Sequence, residues 1–355
     1  MMCSLVLHSN LKPFPYCIFV FLWVTNFSFS EKNNDFLSLQ FRTQEIYNSL
    51  RSSVVRVKAT REKTNADKVK RLLKMGSGFF VSKDGHVLTT GLLKDADRIW
   101  IEHEESFYLA EKIGSDLLCN LSLLKTIEVP NKISFVSLSD SLSEPQVGSF
   151  LVGLTCALEF DVGPTSGLLQ SKEFSFGKSL FPTKMLRTSL ALGPGEVGSP
   201  VFDLQGKFIG IAHAALPDLK SSFLLPALAC SRIREDLMFS GKVEYGWFGV
   251  STARKINSAG GFDIIIKEII EDSPASFSKL APGDIIERIG EQIVTRQGDL
   301  AHAAFFARPG TYSEFHVVRG RNELTIQVKV AARPFELKKE SKEIAELNAD
   351  VQEDR

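Results

Sequence analysis

The chain has no charge surplus: 42 Lys and Arg stand against 42 Asp and Glu in 355 residues. Without a basic surplus there is little to neutralise a phosphate backbone, so no nucleic-acid partner is expected. Cysteine is scarce too. Of five, Cys3 and Cys17 fall near the N-terminus, and Cys119, Cys156 and Cys230 are too scattered for a disulfide framework or a metal site. They read as small buried hydrophobes, and no metal or cofactor is expected. Long apolar runs are missing as well, none approaching the about 20 residues that cross a bilayer unaided. What remains is 44% hydrophobic and 24% charged, the balance of a folded chain with room for about two domains.

The N-terminus has an organisation of its own. Lys12 precedes the apolar run "YCIFVFLWV" (Tyr16 to Val24), and "TNFSFSEKNND" follows with Ser28 and Ser30 at the minus-three and minus-one spacing of a cleavage site. Residues 1–30 therefore read as a secretory signal peptide or, uncleaved and extended through Phe29, as a membrane tether. Residues 31–50 form a polar N-terminal segment ending in a short helix, and the first strand follows. From 51 to about 229 come short β-type runs between turn signals, among them "SVVRVKA", "GSGFFVS", "HVLTT", "RIWIEH", "LSLLKTI", "SFLVGLT", "PVFD", "FIGIAHA" and "SSFLLP". Such spacing predicts an all-β barrel or sandwich. "TREKTNADKVKRLLKM" (60–75) reads as a mobile charged insertion, and "SRIREDLMFSGK" as a helix closing the unit at 51–240. A second unit, 243–332, opens with "YGWFGV" and holds a helix "DLAHAAFFA" with Leu300, Ala303, Ala304 and Ala307 on one face. Residues 335–355 alternate charges as a solvated helix or disordered tail.

These runs, in this order, resemble the HtrA (high-temperature-requirement) family, from about residue 51 to 332. The phrases that carry the resemblance are "GSGFFVSKDGHVLTT", "AEKIGSD", "VGSFLVGL", "PTSGLL", "GPGEVGSPVFDLQGKFIGIAHA", "GKVEYGWFGV" and "SPASFSKLAPGDIIERIGEQIV". The resemblance implies a mainly β chain: a trypsin-like double β-barrel followed by an α+β PDZ domain. It also implies serine-type endopeptidase chemistry, in which a Ser attacks, a His transfers the proton and an Asp orients the His.

This sequence departs from the family at all three positions. Gly91 in "TTGLLKD" stands at the His position, Asn120 in "CNLSLLK" at the Asp position and Val197 in "GPGEVGSP" at the Ser position. Gly91 has no side chain, Asn120 carries no charge to balance an imidazolium, and Val197 has no lone pair. Loss of the nucleophile or the base alone removes about a million-fold of turnover in such enzymes. The backbone N–H groups of Gly195 and Val197 are left as an oxyanion-hole-like pair. Ser199 lies two residues beyond the lost Ser and would need a base, for which His86 and His213 are the candidates. Glu196 is expected to satisfy backbone donors of its own loop.

In the second unit the family's Gly-hydrophobic-Gly loop offers backbone N–H groups to a peptide C-terminal carboxylate. Gly246, Trp247, Phe248, Gly249 and Val250, with Leu300, Ala303 and Ala304 of the helix, are the expected peptide-binding residues. Three functional readings follow. The first is an inactive HtrA-like pseudoprotease that binds unfolded or C-terminal peptide segments, hydrophobic C-termini foremost, as holdase, adaptor or regulator in envelope protein quality control. The second is an active endopeptidase rewired around Ser199, and the third a structural subunit of a mixed oligomer with active relatives. The resemblance implies a periplasmic location and a homotrimer or mixed oligomer assembled near "DFLSLQF". Export should leave a mature chain beginning at Glu31; N-terminal sequencing of the exported protein checks this, and an intact N-terminus in the membrane fraction would indicate a tether.

Overall fold

In β1 (Val54–Asn65) apolar side chains alternate between two buried faces: Val55, Val57 and Ala59 point to one core and Val54 to another. A strand covered on both faces reads as a nearly unbroken apolar run, and here the run is interrupted by Arg56. Its buried guanidinium donates to Glu102 Oε1 at 2.6 Å and to the Phe160 carbonyl at 2.6 Å. A paired charge of this kind is tolerated where an unpaired one would not be.

The chain is seen as a computed structural model that describes residues 36–65, 68–91, 96–138, 144–177 and 179–334. The signal-peptide and charged-tail expectations lie outside these residues. Two compact units divide the chain, residues 1–45 and 46–355. In the first, residues 36–45 are helical, with Phe36 and Phe41 exposed. The second opens with helical residues 46–50, of which Ile46 joins the main core.

Strand β1 is followed by β2 (Lys68–Phe80), β3 (His86–Thr90), β4 (Arg98–His103), β5 (Ser106–Asp116) and β6 (Leu121–Thr126), which close a barrel in the order β1-β2-β3-β6-β5-β4. A second barrel, ordered β10-β11-β12-β9-β8-β7, is built from β7 (Phe150–Thr155), β8 (Gly163–Phe176), β9 (Ser179–Thr188), β10 (Pro200–Phe202), β11 (Phe208–Leu216) and β12 (Ser221–Pro226). Closure removes open sheet edges. Each barrel encloses its own apolar core, and a larger one containing Phe79, Leu121, Phe202 and Ile233 joins strands of both barrels to helix α1 (Ala227–Ser240). Gly241, at φ 71°, ends α1 with its amide on the Leu237 carbonyl at 2.9 Å.

The remaining elements are β13 (Gly246–Trp247), β14 (Val250–Ile256), β15 (Phe262–Ile269), β16 (Ile285–Ile289), β17 (Gln292–Ile293), α2 (Gln297–Phe306), β18 (Tyr312–Arg319), β19 (Asn322–Lys329) and β20 (Ala331–Ala332). They form a sheet in the order β14-β15-β16-β18-β19 over a core around Phe315, with β14 at its edge and β13 paired to β20. The mainly β architecture, a double barrel followed by an α+β domain, is the expected one.

One expectation is corrected. Residues 60–65 and 68–75 do not interrupt the sheet as an insertion; they extend β1 and β2 as one antiparallel ribbon, in register to Asn65↔Lys68. The ribbon is braced at its base. Asp97 donates its amide to the Thr60 carbonyl at 2.8 Å and accepts the Glu62 amide on Oδ2 at 2.6 Å. Charge does not prevent strand pairing in a ribbon that needs only backbone hydrogen bonds and solvent on its faces. The three cysteines expected to be buried and unpaired, Cys119, Cys156 and Cys230, are so.

Helix α2 lies against the second barrel through His302, whose Nδ1 meets Thr183 Oγ1 at 2.7 Å and the Lys184 amide at 3.4 Å. The amide can only donate, so Nδ1 is the acceptor and the ring is neutral. Phe174 and Phe306 cover it edge-on. Burial, reinforced by the Lys184 charge and opposed by Glu144 and Asp299, lowers the His302 pKa to about 4. In the unfolded chain the same ring takes up its proton near pH 6.5. The unfolded state therefore binds more protons between the two values, so stability rises with pH there, and acidification from 6.5 to 4 should remove about 3 kcal/mol. Urea midpoints measured across that range should fall less steeply for His302→Asn than for the parent; equal slopes would contradict this account.

Candidate functional site

The loop 193–199 begins with a tight turn in which the Glu196 amide donates to the Gly193 carbonyl at 3.3 Å. Pro194 takes the second corner and Gly195, at φ 85°, the third, the residue pattern of a type II turn. Glu196 then secures the loop from within. Its Oε1 accepts the Thr155 hydroxyl at 2.7 Å and its Oε2 accepts the Gly193 amide, the backbone-satisfying role expected of it.

Ser77, on β2 in the other barrel, ties down the rest. Its hydroxyl donates to the Gly195 carbonyl at 2.8 Å and its amide donates to the Val197 carbonyl at 3.2 Å. The backbones approach so closely that a Cβ at Gly198 would lie 2.0 Å from the Ser77 carbonyl oxygen. Beyond it, the Gly198 amide reaches Ala212 O and the Ala212 amide reaches Ser199 O, each at 2.8 Å, joining the loop to β11. Among the described residues no protein acceptor receives the amides of Gly195 or Val197.

The other two positions lie against each other. Gly91 donates its amide to the Asn120 carbonyl at 3.0 Å, and a Cβ at Gly91 would fall 2.2 Å from both Nδ2 and Oδ1 of Asn120. Asn120 itself is left-handed at φ 50°, a conformation Asn adopts more readily than most residues. Two residues before Gly91, Thr89 donates its hydroxyl to the Ser77 carbonyl at 2.7 Å. The Gly91–Asn120 pair and the Val197 loop are thus joined through Thr89 and Ser77 at the junction of the barrels.

The candidate bases are each engaged by another partner. His213, half-buried on β11, places Nε2 3.0 Å from the Cys119 carbonyl, which can only accept, so that nitrogen carries the proton. Burial lowers its pKa to about 4, so it is neutral at neutral pH. His86 is paired through Nδ1 with Ser82 Oγ at 2.8 Å. Ser199 is fully buried, and its hydroxyl meets no hydrogen-bond partner among the described residues. No cluster of His, Cys, Asp or Glu among them is arranged to hold a metal ion.

Residues 76–211 match the trypsin-like peptidase domain, and residues 245–330 match the PDZ domain. The chain joins a trypsin-like peptidase domain to one PDZ domain, with HtrA-type proteases among its homologues. It is 30% identical over 274 residues to a probable periplasmic serine endoprotease, DegP-like, of Pseudomonas fulva, an alignment covering 73% of this chain and 56% of that protein. A protein of the same description from Ectopseudomonas mendocina is 29% identical over 276 residues, 74% of this chain and 57% of the relative. The chain therefore spans little more than half the length of these relatives. Among solved structures, the HtrA-type protease AlgW with a tripeptide superposes with a TM-score of 0.66 at 21% identity, over 82% of this chain and 97% of that one. No helix of the described residues is long and apolar enough to cross a membrane.

The HtrA-type PDZ groove would lie between β14 and α2. At its head, the amides of Phe248 and Gly249 meet no protein acceptor among the described residues. Val250, Leu300, Ala304 and Ala307 are partly buried apolar residues beside them, and Trp247 is half-buried. Three of the expected residues lie beneath the groove rather than lining it with their side chains. The Phe248 ring packs edge-on against Phe315 in the core, Ala303 is buried beside it, and Gly246 lies under α2, where a Cβ would come within 2.7 Å of the Ala304 and Ala307 carbonyls. Alternation along the loop turns Phe248 inward, and Gly246 is small so that α2 can approach. Gln297, which reaches Thr252 across this groove at 2.9 Å, has no signal in the sequence, since an exposed polar residue at a helix start is unremarkable.

The tight fit at the Gly91–Asn120 contact predicts a stability effect. Gly91→Ala should destabilise the chain by about 1–3 kcal/mol through overpacking against Asn120. Adding Asn120→Gly, which removes the obstructing amide and suits φ 50°, should recover part of the loss; thermal melts of the four chains of this double-mutant cycle check it.

Proposed function

We propose that this chain does not hydrolyse peptide bonds and that it works by holding extended or C-terminal peptide segments. The observation that carries the reading is the Asn120 amide packed against the Cα of Gly91. Neither residue can serve as a general base, and the space beside Gly91 is filled. Val197 completes the set with an apolar side chain at the end of a clamped loop. The retained Gly195 and Val197 amides could polarise a carbonyl, but an oxyanion hole without an attacking group leaves at most about a thousand-fold over water. Rewired catalysis through Ser199 gains no support, because its buried hydroxyl faces no base.

Binding is favoured by the groove. The free amides of Phe248 and Gly249 suit a C-terminal carboxylate, the edge strand β14 suits an extended backbone, and the apolar residues Val250, Leu300 and Ala304 suit a hydrophobic last side chain. Each backbone hydrogen bond contributes about 1 kcal/mol net, and the free peptide must be ordered, so affinity should be on the order of micromolar. The periplasmic description of its relatives supports the same location for this chain, exported by residues 1–30 or tethered there. The exposed Phe36 and Phe41 fit assembly as a homotrimer or beside active relatives, a structural role compatible with binding.

The mature protein should leave unfolded casein intact and should not label with a fluorophosphonate; labelling abolished by Ser199→Ala would establish rewired catalysis instead. Titration with free-acid peptides ending in Val, Leu, Ile or Phe, and with their C-terminal amides, should show at least about tenfold weaker binding of the amides, because the loop then loses a charged acceptor.

A further inference from the structure

The proposed groove holds a contact of its own along the path of a ligand. Strand β14 pairs with β15 on one side and with no strand on the other among the described residues. Its open side faces α2, whose first residue, Gln297, donates from Nε2 to the Thr252 carbonyl at 2.9 Å. That carbonyl does not receive the amide of its cross-strand neighbour. Thr252 stands opposite Ile266, but the Ile266 amide donates to the Asp284 carbonyl at 2.9 Å. One residue earlier, the Ser251 hydroxyl is enclosed without a hydrogen-bond partner. The middle of the groove is therefore occupied by a side-chain amide making the hydrogen bond that an added strand would make.

We propose that Gln297 is a latch across this groove, which an extended peptide must displace to bind. The inference rests on peptide capture between β14 and α2. A strand adding antiparallel to β14, with its carboxylate at Phe248 and Gly249, would run about 10 Å before reaching Thr252, the length of roughly three extended residues. Its backbone N–H then competes with the Gln297 amide for one carbonyl. Gln297 is exposed and held by this contact at the end of a flexible side chain, so it can swing into water without unfolding α2. The ligand class is an extended peptide of four or more residues with a free carboxylate. Removing the latch leaves Thr252 O with only water to displace, which should tighten binding by about three- to tenfold, an exchange of one hydrogen bond.

The test uses the full mature chain, its Gln297→Ala and Gln297→Met variants, and fluorescein-labelled free-acid hexapeptides ending in Val, Leu, Ile or Phe, followed by fluorescence anisotropy. Methionine keeps the side-chain bulk and removes the donor, so both variants should bind about three- to tenfold more tightly than the parent, with unchanged melting temperatures. Tightening by alanine alone would mean that bulk rather than the hydrogen bond obstructs the groove, and would overturn the latch. Unchanged or weaker binding in both variants would overturn it while leaving peptide capture standing. Absence of binding in the parent and both variants would remove peptide capture, and the latch with it.

Discussion

The junction of the two barrels is organised around the buried backbone and hydroxyl of Ser77. One residue of the first barrel receives the Thr89 hydroxyl, and donates to Gly195 and Val197 across the domain boundary. Buried polar groups are costly when unpaired, so the loop 193–199 is held by the need to keep these partners matched. Gly198 makes the arrangement possible, because any side chain there would occupy the position of the Ser77 carbonyl.

The same junction accounts for the packing of the double-barrel architecture around residues 91, 120 and 197. Asn120 fills the space beside Gly91, Glu196 satisfies its own loop, and His213 bridges to the Cys119 carbonyl from the opposite barrel. The groups around positions 91, 120 and 197 pack or pair with one another. The Ser199 hydroxyl, by contrast, is buried there without a hydrogen-bond partner among the described residues.

The turn carrying Asn120 also meets the segment that leads to the PDZ domain. Tyr245 donates its hydroxyl to Asp116, which accepts the Leu118 and Cys119 amides as well. Burial raises the pKa of Asp116 and pushes that of Tyr245 well above its ordinary value. Arg232 of α1 lies over the Phe305 ring of α2 at 4.9 Å and donates to the Glu244 carbonyl at 2.9 Å. Helix α2 is therefore packed on two sides, against its own sheet through Leu300 and Ala303 and against the barrels through His302 and Phe305. A ligand that displaced α2 from β14 would act on a helix already committed elsewhere, which favours movement of a side chain such as Gln297 over movement of the helix.

By itself the sequence determined the order and kind of most elements, because short β runs between turn residues and a small-residue helix face encode local periods directly. It also determined which side chains stand at Gly91, Asn120 and Val197, and therefore what chemistry they lack. Strands β5 and β9 were not separable by pattern, since exposed and charged positions break the alternation of one and Pro182 interrupts the other. Only the tertiary structure decided that the charged residues 60–65 and 68–75 continue a paired ribbon, that Phe248 and Ala303 belong to a core, and that Gly246 accommodates α2. It alone brought Asn120 against Gly91 and Gln297 against Thr252. Local patterns report which face of an element is apolar, whereas these contacts join residues far apart in sequence, where proximity is set by how the barrels, sheet and helices pack.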